Sequence, residues 1–232
     1  MDPDIQKNDR ISIQVCLSGY SFKVLSPDGA VVSASSDWLG PGTVFTTPEL
    51  QRRYAAAEVS LMTPKFALVP AAFLLPGEEA EALADVCDLV PGDEVRVCDV
   101  PQFGARVVYS LTIGETLSRV IAQGLTVPGA APVEVLPEIW YLLRALGDVP
   151  EYNRIVASIA DGRLYLAIAQ GKTLLLANSY PAPDFTTAEY YLFLAVKRLQ
   201  INPEASAVWF RTPLGPAEEM SLYRYFKAVG TL

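Results

Sequence analysis

Two parts of the chain carry the same order of short apolar strands and glycine-containing turns. In the first part, alternating apolar residues predict strands at Ile11–Val15, Tyr20–Leu25 and Ala30–Ala34. In the second part, the same alternation predicts strands at Arg154–Ser158, Leu164–Ile168 and Thr173–Ala177. The turn glycines are in register at offsets of 143 (Gly19 and Gly162) and 142 positions (Gly29 and Gly171). This agreement predicts a duplicated unit that begins with two antiparallel hairpins.

Each part continues with a matched pentapeptide that is typical of a helix start. Phe45-Thr46-Thr47-Pro48-Glu49 is repeated 140 positions later as Phe185-Thr186-Thr187-Ala188-Glu189. In both pentapeptides a threonine stands three residues before a glutamate, at Thr46 and Glu49 or at Thr186 and Glu189, which is the capping-box spacing. The apolar periodicity that follows predicts a helix to Leu61 in the first part and to Ile201 in the second. A short apolar strand is predicted after each helix, at Phe66–Val69 and at Ala207–Phe210.

The order of three strands, a helix and a fourth strand therefore occurs twice. This order is typical of duplicated ribonuclease-H-like βββαβ halves that face each other across a cleft, the architecture of the actin, hexokinase and heat-shock-protein-70 superfamily. The predicted fold class is α/β (mixed α+β) with an actin-like ATPase fold. We expect a polar N-terminal tail at residues 1–9, a first actin-like subdomain at 10–130 and a second at 131–232. The boundary is placed at the Pro/Gly/Ala linker Thr126–Ala131.

The segments between and after the repeated units also predict regular structure. Helices are predicted at Glu78–Val90, at Gly114–Gln123, after Pro137, and at about Ala217–Val229. Strands are predicted at Glu94–Cys98 and Arg106–Leu111. The helix after Pro137 places Ile139, Leu142, Leu143 and Leu146 on one face, which is expected to be buried.

Composition excludes several function classes. The chain has no histidine, which removes Ser-His-Asp and Cys-His catalytic groups. Its three cysteines, Cys16, Cys87 and Cys98, lack the spacing of a metal site or a disulfide framework, so we expect no metal and interpret them as small buried apolar residues. A net charge of −8 without a cluster of Lys and Arg argues against nucleic acid as a partner.

The sequence also predicts where the protein is found. Residues Met1–Arg10 are polar and charged, unlike a secretory signal. The longest apolar stretch, Phe66–Leu75, is interrupted by Pro70 and is shorter than a membrane span. We therefore expect no membrane insertion and a cytoplasmic location.

Four segments, Ile11–Phe22, Leu68–Phe73, Leu174–Asn178 and Tyr190–Phe193, carry a resemblance to a known family. They resemble uncharacterised Bacteroidetes proteins that form the domain of unknown function 3822, which has an actin-like ATPase fold. The chain also resembles, more distantly, the actin-like proteins of type II secretion and type IV pilus systems, some of which act as scaffolds. The resemblance covers nearly the whole chain and implies a fold without naming an activity.

The resemblance implies where a nucleotide would bind. In actin-like ATPases the first hairpin of each half holds phosphate through an Asp-x-Gly turn. Here Leu17 and Ala160 occupy the two aspartate positions, so no catalytic residue and no actin-type ATPase activity are predicted. The remaining candidates for contact with a cofactor are the turn residues Ser18, Gly19, Asp161 and Gly162. No cofactor is predicted, and ATP with Mg²⁺ is left open.

Three functions stay open from the sequence. A non-catalytic actin-like scaffold or regulatory protein that binds a protein partner is favoured, because the fold is kept without the catalytic turns. One alternative is a nucleotide-binding ATPase or sugar-kinase relative with a divergent phosphate hairpin. The other is a small-molecule sensor that uses the interdomain cleft.

The aromatic residues near the C-terminus are expected to pack in the core or to anchor a protein partner: Trp209, Phe210, Tyr223, Tyr225 and Phe226.

Overall fold

The computed structural model describes residues 8–112, 115–126, 129 and 131–232. Within these ranges the strands are β1 Arg10–Val15, β2 Tyr20–Leu25, β3 Val31–Ala34, β4 Ala56–Leu61, β5 Phe66–Pro70, β6 Val95–Val100, β7 Ala105–Ser110, β8 Val135–Pro137, β9 Asn153–Ala160, β10 Arg163–Gln170, β11 Thr173–Pro181, β12 Ala207–Phe210 and β13 Ala228–Thr231. The α-helices are α1 Glu79–Ala84, α2 Glu115–Leu125, α3 Glu138–Ala145, α4 Phe185–Arg198 and α5 Pro216–Tyr223.

The chain divides into two compact units. Unit 1 comprises Met1–Thr63, Gly92–Glu94 and Ser110–Pro137, and unit 2 comprises Pro64–Pro91, Val95–Tyr109 and Glu138–Leu232. The predicted linker falls partly on residues 127, 128 and 130, which lie outside the described residues. The subdomain boundaries predicted from the sequence therefore stay a prediction.

Each unit contains one five-stranded sheet with the same topology. The strand order is β3-β2-β1-β4-β8 in unit 1 and β11-β10-β9-β12-β13 in unit 2. In each sheet the first two neighbouring pairs are antiparallel and the last two are parallel. The central pairs, Ile13 with Val59 and Ile155 with Val208, are completely buried in both sheets. The predicted duplication of a ribonuclease-H-like sheet is confirmed.

The helix predicted from Thr46 to Leu61 is wrong. A 3₁₀ turn at Pro48–Gln51 replaces its first turn. The Thr46 hydroxyl donates to the Thr43 carbonyl oxygen at 3.1 Å, and the Glu49 carboxylate accepts a hydrogen bond from a serine hydroxyl in β3, so the predicted capping box does not form. The second half of the predicted helix is strand β4. Parallel pairing with β1 buries Val59 and Leu61 completely, and this burial outweighs the local preference for a helix.

The strand predicted at Phe66–Val69 exists, but it does not complete the first sheet as predicted. It is β5, the edge strand of a separate three-stranded sheet with the order β5-β7-β6. The fourth strand of the first sheet is β4 instead. The three-stranded sheet belongs to unit 2, apart from Ser110 at the end of β7. Its core is small and contains Ala67, Leu74, Leu83 and Val108.

The second copy follows the prediction closely, with strands β9, β10 and β11 and then the helix α4. The cap of α4, however, differs from the predicted pair of Thr186 and Glu189. Asp184 is the N-cap and its carboxylate accepts a hydrogen bond from the Thr187 amide at 2.7 Å. Glu189 instead accepts a hydrogen bond from the Ser221 hydroxyl of α5.

Other boundaries also differ from the prediction. Helices α1 and α5 are shorter than predicted, and the segment after α5 forms the parallel edge strand β13. Strand β8 was not predicted. The buried face predicted for the helix after Pro137 is confirmed, because Ile139, Leu142, Leu143 and Leu146 are all buried. Across the part of the chain that the structure describes, no helix is both long enough and apolar enough to span a membrane.

Candidate functional site

The turn between β1 and β2 contains the first two candidate residues, Ser18 and Gly19. The Cys16 amide donates to the Gly19 carbonyl oxygen at 2.8 Å, and the Ser18 hydroxyl lies 3.3 Å from the Cys16 sulfur. Gly19 packs directly against the Leu39 backbone, since a Cβ atom at this position would lie 2.0 Å from the Leu39 carbonyl oxygen. Close backbone packing therefore gives Gly19 a structural role that requires no ligand.

The turn between β9 and β10 contains the other two candidates, Asp161 and Gly162. Both residues have positive φ, 48° and 65°, as a two-residue hairpin turn requires. The Gly162 carbonyl oxygen accepts a hydrogen bond from the Ala182 amide at 2.7 Å. Each turn belongs to its own unit, and nucleotide contact at the four candidate residues stays a prediction.

The cysteines do not form a metal-binding cluster. Among the residues that the structure describes, no group of three or more cysteine, aspartate or glutamate side chains could hold a metal ion. Cys16 is buried as predicted, whereas Cys87 and Cys98 are only partly buried, so the prediction of burial is wrong for these two. Partial burial raises the pKa of the Cys87 thiol, and its sulfur contacts the Phe66 carbonyl oxygen at 3.8 Å.

Unit 2 contains a groove that the sequence did not predict. Its volume is about 690 Å³, within the range of protein binding pockets. One wall consists of β5 and the turn that follows it, another consists of α1 with its flanking residues, and two residues of β11 also line the groove. The residues that line it are Phe66, Ala67, Leu68, Val69, Phe73 and Leu74 from the first wall, Glu78, Glu81, Ala82, Asp85 and Val86 from the second, and Ala177 and Asn178 from β11.

The α1 wall is formed by α1 and the residues on either side of it, and it presents one helical face to the groove. Its five groove residues lie at positions 78, 81, 82, 85 and 86, the spacing of one helix face. The opposite face carries Leu83, which is completely buried, and Cys87, which packs against the same small core. Burial of Leu83 therefore orients the acidic stripe towards the groove.

The groove combines apolar walls with a negatively charged rim. Phe73 and Val86 are 78% and 64% exposed, and both line the same groove. Glu78, Glu81 and Asp85 supply three exposed carboxylates, and none of the described lining residues is Lys or Arg. An apolar surface beside several carboxylates is suited to a partner with apolar and basic groups.

A buried ion pair lies elsewhere in unit 2. Glu138, the first residue of α3, is completely buried and contacts the guanidinium of Arg211 at 2.5 Å. The other carboxylate oxygen of Glu138 accepts a hydrogen bond from the Ser158 hydroxyl at 2.6 Å. The Arg211 guanidinium also lies 4.7 Å from the centre of the Tyr141 ring, within range of a cation–π contact. These contacts join α3, β9 and the segment after β12, and they explain how a charged glutamate is tolerated in the core.

The predicted aromatic cluster divides into core and surface residues. Phe210 and Phe226 are buried, and Phe226 stacks on Phe193 of α4 with ring centres 5.5 Å apart. The interpretation as core is therefore confirmed for these two residues. Tyr223 and Tyr225 are about half exposed, and the Tyr223 hydroxyl donates to the Val229 carbonyl oxygen.

Comparison with solved structures confirms the predicted actin-like ATPase fold. A Bacteroides thetaiotaomicron VPI-5482 protein with this fold and unknown function is similar with a TM-score of 0.69 at 14% identity, over 100% of this chain and 93% of that chain. The cytoplasmic domain of EpsL, an inner-membrane component of the Vibrio cholerae type II secretion system, is similar with a TM-score of 0.51 at 16% identity, over 89% of this chain and 83% of that chain. A PilM–PilN type IV pilus biogenesis complex is similar with a TM-score of 0.52 at 13% identity, over 96% of this chain and 88% of that chain. At these identities the similarity shows the fold alone.

The family is shown by the sequence itself. Among curated proteins, none matches the chain. The profile of one family, described as "Protein of unknown function (DUF3822)", matches residues 1–229. The resemblance predicted from four segments of the sequence is thereby confirmed over nearly the whole length, and the chain belongs to the DUF3822 family.

Proposed function

We propose that this protein is a non-catalytic scaffold or regulatory protein with an actin-like fold, which binds a protein partner in the groove of unit 2. The observation that carries the proposal is the groove itself. Exposed apolar side chains, Phe73 and Val86, flank a concave surface whose rim is acidic. Exposed apolar side chains that share one concave surface with polar residues are typical of a binding site.

The similar proteins support the same proposal. PilM has been solved as a complex with PilN, and EpsL is a component of a secretion system. Both are proteins of multi-component assemblies that share the fold of this chain. A fold supports many functions, so this similarity adds to the groove and does not replace it.

Site-specific crosslinking in the native cell tests the proposal. A photoreactive amino acid placed at Phe73 reports on the groove, and the same amino acid at Tyr190 is the control, because Tyr190 is 60% exposed on α4 and does not line the groove. We expect a discrete protein adduct at position 73 that is not formed at position 190. The partner from this adduct, once purified, should bind the wild type more tightly than Phe73→Asp. Identical adducts at both positions, or none at position 73, would contradict the proposal.

A further inference from the structure

We propose that the groove takes an extended segment of a partner chain, in which Lys or Arg alternates with apolar residues, and that this segment pairs as an added strand along the edge of β5. The proposal rests on the proposed function, because it names the chemistry of the partner at the same groove. Three features of the groove carry it: the direction in which it runs, the backbone that it exposes and its charge.

The groove runs along the edge of β5. Four consecutive β5 residues, 66 to 69, line it. Successive side chains of a strand point to opposite faces, so a groove on one face would be lined by alternate residues only. Lining by consecutive residues places the groove beside the strand. Four residues of strand extend about 13 Å, which is enough to pair a short extended peptide.

The edge of β5 is open to pairing within the described part of the chain. In the three-stranded sheet, β5 is the terminal strand and pairs with β7, from Phe66 with Tyr109 to Pro70 with Ala105. In an antiparallel pair, alternate residues turn their N–H and C=O groups away from the neighbouring strand. Apart from the Phe66 carbonyl oxygen, which contacts the Cys87 sulfur, these groups could pair with an added strand, which is a common way for a sheet to bind a peptide. Pro70 lacks an N–H group and ends the pairing surface.

The charge of the groove specifies a basic segment. Glu78, Glu81 and Asp85 lie on one helical face and line the same groove as β5, and none of the described lining residues is Lys or Arg. The whole chain carries a net charge of −8, which adds attraction at long range. Phe73 and Val86, which line the same groove, offer exposed apolar contacts. Alternation in the partner would place basic side chains towards the carboxylates of the α1 wall and apolar ones towards Phe73 on the other wall.

Fluorescence anisotropy with defined peptides tests this inference. The probe is a labelled nine-residue peptide in which Lys alternates with Val. The first control peptide replaces each Lys with Glu. The second control peptide keeps every side chain of the lysine peptide and carries N-methyl groups on alternate residues. These methyl groups remove the N–H donors along one edge of the extended peptide. We expect binding of the lysine peptide alone, and about two- to tenfold weaker binding for each N–H group that methylation removes from the paired edge.

Two charge-reversed variants make the experiment specific to the groove. Glu81→Lys/Asp85→Lys reverses two groove charges, and Glu204→Lys/Glu219→Lys reverses two exposed charges elsewhere in unit 2. Both variants have the same net charge, so general attraction to an acidic protein falls equally in the two. We expect the groove variant to bind the lysine peptide about tenfold more weakly than the control variant at low salt. Circular dichroism confirms that both are folded.

The outcomes separate the two proposals. If both variants lose affinity equally, the attraction is general and the inference is overturned. Equal binding of the methylated peptide would exclude pairing as a strand, and absence of binding would exclude a basic extended segment. In each of these cases a crosslinked partner at position 73 would leave the proposed function standing. If position 73 forms no adduct and no peptide binds, both proposals fall.

Discussion

Replacing Arg211 with methionine would remove the guanidinium that contacts the buried Glu138 carboxylate. The Glu138 side chain is 0% exposed and the Arg211 side chain is 11% exposed, so water cannot readily replace the guanidinium. Removal of one partner from such a pair typically lowers the free energy of unfolding by about 3–5 kcal/mol. The hydrogen bond from Ser158 remains, but it is a neutral donor and compensates only in part. For a chain of this size the loss corresponds to a fall in Tm of about 6–20 °C.

The assay is urea unfolding followed by tryptophan fluorescence, on the single variants and on Glu138→Gln/Arg211→Met. Because the double variant removes the charge as well as its partner, we expect it to lose only about 1–2 kcal/mol. Arg144→Met is the matched control. Arg144 is exposed and its guanidinium also lies about 5 Å from the Tyr141 ring, so its removal should cost less than about 1 kcal/mol. A loss below 1 kcal/mol for Arg211→Met, or a double variant no more stable than the single one, would refute this reasoning.

Further predictions concern the turns, a helix cap, a thiol and the cofactor. Gly19→Ala should lower the free energy of unfolding by about 1–3 kcal/mol, since the added methyl group meets the Leu39 carbonyl oxygen; an unchanged urea midpoint would contradict this. Asp184→Ala should lower Tm at pH 7, whereas Asp184→Asn keeps an acceptor for the Thr187 amide and should lose less. Hydrogen bonds from the Thr187 amide and side chain hold the pKa of Asp184 below its usual value. The contribution of Asp184 to stability is therefore present above the unfolded-state pKa and is lost as pH falls through the folded-state pKa. Thermal melts below pH 4 should show a smaller difference in Tm between Asp184→Ala and wild type. Burial raises the pKa of the Cys87 thiol, and its alkylation, followed by peptide mass spectrometry, should reach half its maximal rate at a higher pH than in the unfolded protein. Titration with ATP or ADP and Mg²⁺ should leave Tm unchanged, because both hairpins lack the aspartate of an actin-type site; a saturable rise would favour the ATPase alternative.

The sequence predicted those elements whose signals are local. The hairpin from β9 to β10 depends on Asp161 and Gly162, and both adopt the positive φ that this dipeptide favours. The buried stripe of α3 follows from the periodicity of its apolar residues. In both cases a few neighbouring residues are sufficient to predict the element, and contacts with distant residues are not needed.

The helix predicted from Thr46 to Leu61 does not form, because its local signal competes with long-range strand pairing. Thr46 and Glu49 have the spacing of a cap, but their side chains bond to Thr43 and to β3. The residues of β4 gain more by pairing with β1, more than forty positions earlier, than by forming a helix. The cap of α4 was also predicted incorrectly from local spacing. Asp184, and not Thr186, is the N-cap residue, and its carboxylate accepts the hydrogen bond from the Thr187 amide.

The candidate groove and the buried ion pair could not be predicted for a related reason. Glu138 and Arg211 are 73 positions apart, and neither carries a local pattern that names the other. The groove combines β5 and α1 with Ala177 and Asn178 of β11, about a hundred residues further along the chain. The acidic residues of α1 were visible in the sequence, but they have the composition of an ordinary solvated helix face. Only the position of Leu83 in the core shows which way they point.

The location of the groove follows from the difference between the two copies of the repeat. Both copies build the same five-stranded sheet, and the buried central strands of those sheets are needed for the fold. The segment from Phe66 to Ser110 contains the three-stranded sheet and α1, for which the second copy shows no equivalent among its described strands. Since the repeated sheet does not require this segment, its exposed residues are free to serve binding. A variant that reverses Glu81 and Asp85 should therefore lose partner binding while its Tm stays close to that of the wild type. A large loss of stability would instead show that the acidic stripe belongs to the fold.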